Sequence, residues 1–92
     1  LYIIQFDKNK FNIKPVDMDF VTRAANLMKK LPANTKIEVG GHTDSDGNPK
    51  TNQTLSQNRA NAVRNALVKS GVNASILQTA GYGATQPVAP ND

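Results

Sequence analysis

The chain has no cysteine and no tryptophan, one histidine, and only three phenylalanines and two tyrosines in 92 residues. Without cysteine there is no disulfide, no thiolate metal site and no thiol nucleophile, and the chain is compatible with an oxidising or a reducing compartment. A lone histidine argues against the multi-histidine metal sites of zinc hydrolases. The aromatics Tyr2, Phe6, Phe11, Phe20 and Tyr82 are too few to suggest the stacking platform of a single-strand nucleic-acid binder, all the more as Phe20 reads as part of a helix core. No apolar run approaches the roughly 18 residues that a bilayer span needs. The chain opens on a strand-like run rather than on a charged segment leading into an apolar one. The expectation is a domain cut from a longer protein, with its targeting segment and anchor elsewhere.

What is present is ordinary for a globular domain: 38% hydrophobic and 20% charged residues, in a length that fits one domain spanning residues 1–92. The net charge is +4, from 11 basic and 7 acidic residues, with a pI near 9.6. That balance admits an anionic partner: nucleic acid, a membrane surface or an acidic wall polymer. The lysines are dispersed, however, with no run longer than two, so charge alone selects none of these.

Periodicity supplies the elements. Leu1 to Phe6 is short, aromatic and β-branched, which predicts a strand leaving through the polar turn that follows. Val16, Phe20, Ala24, Leu27 and Leu31 recur at spacings of three and four, which predicts a helix with that stripe on the core and Pro15 in its first turn, stopped by Pro32 and Asn34. Lys36 to Gly40 alternates like a half-buried strand. Residues 41–54 are almost free of apolar side chains and predict a polar loop, long for a strand-to-helix connection, and long connections are often functional. A second helix is expected from about Leu55 to Ser70, closed by Gly71 as a left-handed cap with Val72 packed behind it. A third strand is expected over residues 76–81. The order is βαβαβ: an α/β domain with both helices on one face of a small mixed sheet.

Arg59 is the anomaly in this pattern. At about 100° per residue it falls among Leu55, Ala62, Val63 and Ala66, on the apolar stripe of the second helix. A guanidinium does not give up its charge, so there it must find a carboxylate, a carbonyl cluster or an anionic ligand, unless its stem packs on the core while its head reaches water or an internal ion pair. The expected helix start places Arg59 close to the polar loop, where Asp44 and Asp46 are the available carboxylates. Exposed N–H groups at the helix N-terminus and the arginine fork would then both favour an anion, and Asp44 could receive an ammonium. Opposite charges side by side suit a zwitterion. His42 and Asp44 also admit a metal or hydrolase reading, but no second histidine and no recognisable nucleophile accompany them, and a structural histidine at a strand end fits better.

Gly41-His42-Thr43-Asp44, then Gly47, Asn52, Leu55-Ser56 and Arg59-Ala60, resembles the signature of the OmpA-like peptidoglycan-binding domains, the type found in the peptidoglycan-associated lipoprotein and in the flagellar stator protein MotB. The resemblance runs from the first strand through Gly71-Val72 to Gly81-Tyr82-Gly83 and Pro87. It implies an OmpA-like sandwich, C-terminally incomplete here, in which the family's final helix and strand are missing. It also implies a non-enzymatic domain without cofactor or metal, which grips the diaminopimelate of the peptidoglycan stem peptide in the periplasm and ties the outer membrane or an envelope complex to the wall. Carried over position by position, Asp44 would take the ligand's ammonium and Arg59 its carboxylate, with Asn52, Thr43 and Leu55 shaping the pocket. The alternatives from other classes are a basic α/β nucleic-acid-binding module and a wall hydrolase.

Overall fold

The computed structural model describes residues 4, 6–44 and 47–84. In chain order they form helix α1 (Pro15–Met28), strand β1 (Ile37–Gly41), helix α2 (Pro49–Lys69), a 3-10 turn (Ala74–Ile76) and strand β2 (Leu77–Gly81). The two strands are parallel, in a register that runs from Ile37 opposite Leu77 to Gly41 opposite Gly81. Parallel neighbours require a long crossover, and α2 supplies it while packing on both strands. The strand expected over Leu1–Phe6 falls largely outside the described residues. Its described members, Ile4 and Phe6, lie in irregular backbone. Two helices with a small α/β sheet are as the pattern predicts, and the described sheet is parallel.

The core is small. Val21 and Ala25 of α1, Leu67 of α2, and Val72, Ile76 and Leu77 form one buried cluster, with Ile37, Val39 and Val63 packed against it. Fully burying each large aliphatic side chain is worth about 1.5–3 kcal/mol. Here α1 departs from expectation: its buried stripe runs through Asp17, Val21 and Ala25, whereas Val16 and Leu27 are 77% and 67% exposed and Leu31, beyond the helix, is 42% exposed. The core face is turned from the one that a tally of apolar positions selects towards Asp17, Val21 and Ala25, while Phe20 and Ala24 of the expected stripe still pack at its edge. Asp17 opens the true stripe, and an acid in the first turn is favoured by the helix dipole, so a polar residue there hides the core face from the tally.

α2 begins six residues earlier than expected. Asn48 caps it, its side chain accepting from the Lys50 and Thr51 amides at 2.7 and 3.4 Å, with Pro49 pre-set at the first helical position. Residues 49–54, expected as loop, are therefore helical although none is apolar. The C-terminal end matches expectation. Gly71 has φ +108°, its amide bonds the Val68 carbonyl at 2.9 Å, and the Val72 amide reaches Leu67 at 3.1 Å, the paired bonds of a Schellman motif with Val72 and Leu67 both buried.

Near its start α2 lies almost directly on the sheet. A Cβ at Gly41 would stand 1.8 Å from the Ser56 carbonyl oxygen, and one at Gly81 would stand 2.6 Å from the Gln57 nitrogen. Only glycine at both strand ends permits this approach. The buried hydroxyl of Ser56 completes the contact, donating to the Gln53 carbonyl at 2.8 Å and accepting from the Gly83 amide at 2.9 Å.

Candidate functional site

The candidate residues gather where the strands end. Beyond Gly41 and Gly81 the two exit segments remain tied: the Tyr82 amide bonds the Gly41 carbonyl and the Thr43 amide bonds the Gly83 carbonyl, both at 2.9 Å. Parallel pairing thus fixes His42-Thr43-Asp44 as it leaves the sheet, and α2 fixes it from the side. Asn52, buried in the second turn of α2, donates its side-chain amide to the backbone carbonyl of Asp44 at 3.3 Å, and the Thr43 hydroxyl donates to the same carbonyl at 3.1 Å. Asp44 is therefore held by its backbone while the residue remains exposed. Asp46 lies outside the described residues.

Arg59 sits two turns along α2 from Asn52, on the same face, with half-buried Leu55 between them. This corrects two expectations. Arg59 stands at the middle of a helix that starts at Pro49, roughly 15 Å from its N-terminus at 1.5 Å per residue, so the terminal N–H groups lie too far to share an anion with it. It also flanks the buried stripe instead of centring it. That stripe is Asn52, Ser56, Ala60 and Leu67, half of it polar, which is why a search for apolar spacing misplaces it.

The guanidinium finds a carbonyl cluster. Nε donates to the Lys10 carbonyl at 2.8 Å, Nη1 to His42 at 3.0 Å and Nη2 to Asp7 at 3.2 Å, and Cζ lies 5.0 Å from the centre of the Phe6 ring. Partial burial lowers the Arg59 pKa from its ordinary value, while the charge of Asp44 opposes that shift. No ion pair between Arg59 and Asp44 is among those the described residues form. The three carbonyl bonds occupy three of the five N–H donors of a guanidinium and leave two. Arg59 and Asp44 thus present opposite charges at the two ends of one tripeptide, His42-Thr43-Asp44.

His42 has a structural part here. Its carbonyl anchors Arg59, and its ring stacks on Tyr82 with centroids 5.3 Å apart, over Gly40. Tyr82 in turn donates its hydroxyl to the Glu38 carboxylate. Among the described residues no group of three or more His, Asp or Glu side chains gathers as metal ligands would. The aromatics are dispersed: Phe6 faces Arg59, Phe20 packs on the core, Tyr82 on His42, and Phe11 is exposed, while Tyr2 lies outside the described residues. Gly47 takes a positive φ, +87°, and a Cβ there would meet nothing within 4 Å, so the cost of adding one lies in backbone conformation.

Sequence reasoning brings Asp44, Asn52, Thr43, Leu55 and Arg59 to one place. It misses Phe6 and the carbonyls of Asp7, Lys10 and His42. A backbone acceptor leaves no mark in a sequence, because every residue has one.

Comparison with known proteins places the chain in a wider set. The OmpA family model matches residues 5–92. The chain is 46% identical over 88 residues to outer membrane porin F of Pseudomonas fluorescens, covering 96% of this chain and 27% of that protein. It is 39% identical to the probable lipoprotein YiaD of Escherichia coli, covering 96% of this chain and 40% of that protein. The chain therefore spans well under half the length of these relatives. Among solved structures, the peptidoglycan-associated lipoprotein of Burkholderia pseudomallei superposes with a TM-score of 0.86 at 30% identity, over 94% of this chain and 72% of that one. The C-terminal domain of Helicobacter pylori MotB gives a TM-score of 0.86 at 34% identity, over 100% of this chain and 74% of that one.

Proposed function

The chain belongs to the OmpA family, and from that premise we propose that it is a non-catalytic module that binds peptidoglycan through the diaminopimelate of the stem peptide. One observation carries the reading: Arg59 and Asp44, opposite in charge, are held at the two ends of His42-Thr43-Asp44 by hydrogen bonds that leave two guanidinium N–H groups and an exposed carboxylate for a ligand. Diaminopimelate within a stem peptide carries, at its far end, an ammonium and a carboxylate on one carbon. Asp44 takes the ammonium and Arg59 the carboxylate, while Asn52 and Thr43 hold Asp44 in place and Leu55 lines the gap between the charges. Charge-assisted bonds to fixed partners are the stronger class of hydrogen bond, and the fixing lowers the ordering cost of binding.

The relatives support the setting. One is named for its association with peptidoglycan, another is an outer membrane porin, and a periplasmic domain of MotB shares the fold at a TM-score of 0.82. The proposed location is the periplasm, with attachment to the outer membrane or to an envelope complex through parts of a longer protein. The net charge of +4 suits a polymer whose peptides carry free carboxylates.

Sedimentation with purified sacculi of the diaminopimelate type tests the reading. Asp44→Ala and Asp44→Asn should each weaken binding by about 1.5–3 kcal/mol, roughly ten- to a hundredfold, with the fold intact. If both variants pellet with the wall as the parent does, the assigned site is wrong. Arg59→Ala should lose binding as well, but it also removes three bonds to the protein, so its thermal midpoint must be measured beside its binding.

A further inference from the structure

Phe6 to Lys10 precedes α1 and is remote in sequence from the strand ends, yet it supplies most of what holds Arg59. The Phe6 ring lies 5.0 Å from the guanidinium carbon, and the Asp7 and Lys10 carbonyls accept from Nη2 and Nε across 52 and 49 residues of chain. Asp7 to Lys10 is itself a closed turn, with the Lys10 amide donating to the Asp7 carbonyl at 3.0 Å. Its third residue, Asn9, has φ +61°, and it is the one non-glycine residue with positive φ among the described residues. That sign at the third position is the type II pattern, which glycine adopts freely, asparagine tolerates and a β-branched residue resists. The Asp7 carboxylate, 3.7 Å from Lys14 Nζ, ties the turn to the start of α1.

We propose that Phe6 and the Asp7–Lys10 turn are positioning elements of the ligand site: they set the plane of the Arg59 guanidinium so that its two remaining N–H groups meet a ligand carboxylate. Asn9 is the residue that lets the turn close. This inference rests on the reading of Arg59 as the carboxylate ligand. An arginine side chain is long and rotatable, and a guanidinium pinned by three carbonyls and one ring is presented to a ligand already ordered. The segment need not touch the ligand to set its affinity.

The test uses two stem tripeptides that differ only in the third residue, meso-diaminopimelate or lysine, titrated calorimetrically. Only the first offers the second carboxylate. Asn9→Val should weaken binding of the diaminopimelate peptide by roughly three- to tenfold through strain in the turn, whereas Asn9→Gly should stay within about twofold of the parent. Phe6→Leu should weaken the same peptide by roughly threefold or more, and Phe6→Tyr, which keeps the ring face, should restore it. Affinity for the lysine peptide should not change in any of the four. A general loss of structure would lower both affinities together, and that result, or parent-like binding by Asn9→Val and Phe6→Leu, overturns the proposal. If Asn9→Val fails to fold, the Phe6 pair decides alone. Arg59→Lys separates the two levels of the argument. If it keeps the parent's preference for diaminopimelate, the reading of Arg59 fails; if it loses that preference while the Asn9 and Phe6 variants keep it, only the role of the turn fails.

Discussion

Along α2, the first three turns and the last three meet the rest of the molecule by different means. Gln53, Ser56, Gln57 and Ala60 lie against Gly41, Gly81 and Gly83, helix against strand-end backbone, and the contact is held by directed bonds. Ser56 accepts from the Gly83 amide, and Gln57 and Gln53 take the amide and carbonyl of Gly81 at 3.0 and 2.6 Å. Leu67, at the other end, packs its side chain among Val21, Ala25, Val72, Ile76 and Leu77, where the side-chain contact is burial of apolar surface. Aliphatic packing is non-directional and tolerates repacking. Backbone contact with hydrogen bonds tolerates neither shift nor added atoms. The proposed binding residues Asn52, Leu55 and Arg59 all sit on or beside the directed half, where a helix cannot slide relative to the strand end that bears Asp44.

The sharpest way to break this contrast is one substitution in each half. Gly41→Ala would place a Cβ 1.8 Å from the Ser56 carbonyl oxygen and 2.8 Å from its carbon, both backbone atoms that no rotamer change can move. We expect the largest effect here, more than about 3 kcal/mol of stability or outright failure to fold. Leu67→Ala removes atoms instead of adding them and should cost about 2–5 kcal/mol, towards the lower end where neighbours close the gap. Denaturant titration followed by circular dichroism measures both. The second variant, where still folded, should bind sacculi like the parent. Parent-like stability of Gly41→Ala would erase the distinction between the two halves, and loss of wall binding by folded Leu67→Ala would show the halves to be coupled.

A smaller effect is expected on the opposite face of the sheet, where Tyr82 gives its hydroxyl to Glu38. That hydrogen bond, then burial, then the charge of Glu38 raise the Tyr82 pKa above the ordinary value of 10.0. The folded state therefore holds the phenolic proton more tightly than the unfolded state does. The resulting stabilisation is fully present below the unfolded pKa of about 10 and is lost as pH rises through the higher folded value. Tyr82→Phe keeps a ring to stack on His42 but lacks the hydroxyl. The urea midpoint of the parent should exceed that of the variant by a small, constant margin near neutral pH, and the margin should close in alkali. A margin that persists there would place its origin elsewhere.

How much of this was legible in the sequence follows the same division. Where burial is apolar, periodicity finds it: both described strands, the Gly71 cap and Val72 behind it are where the pattern puts them. Where burial is polar or glycine-lined, periodicity fails. The stripe of α1 opens with Asp17, so apolar spacing centres it too far towards Val16 and Leu27, and the first turn and a half of α2 reads as loop because residues 50–54 hold no apolar side chain, although Asn48-Pro49 is a sound start signal. Motif resemblance covers this gap for Asp44, Asn52 and Arg59, the residues that composition would leave in a loop or on the wrong stripe. Neither source reveals the Phe6–Lys10 segment, because its contribution is two carbonyls and one ring face.

The central claim is that Arg59 and Asp44 together select a ligand with a zwitterionic end. Calorimetric titration of the parent protein with the two stem tripeptides, identical except for meso-diaminopimelate or lysine at the third position, tests it most directly. The account predicts at least about tenfold tighter binding of the diaminopimelate peptide, about 1.4 kcal/mol, because only that peptide brings a carboxylate to the two N–H groups left on Arg59. Equal affinity for the two peptides would contradict it.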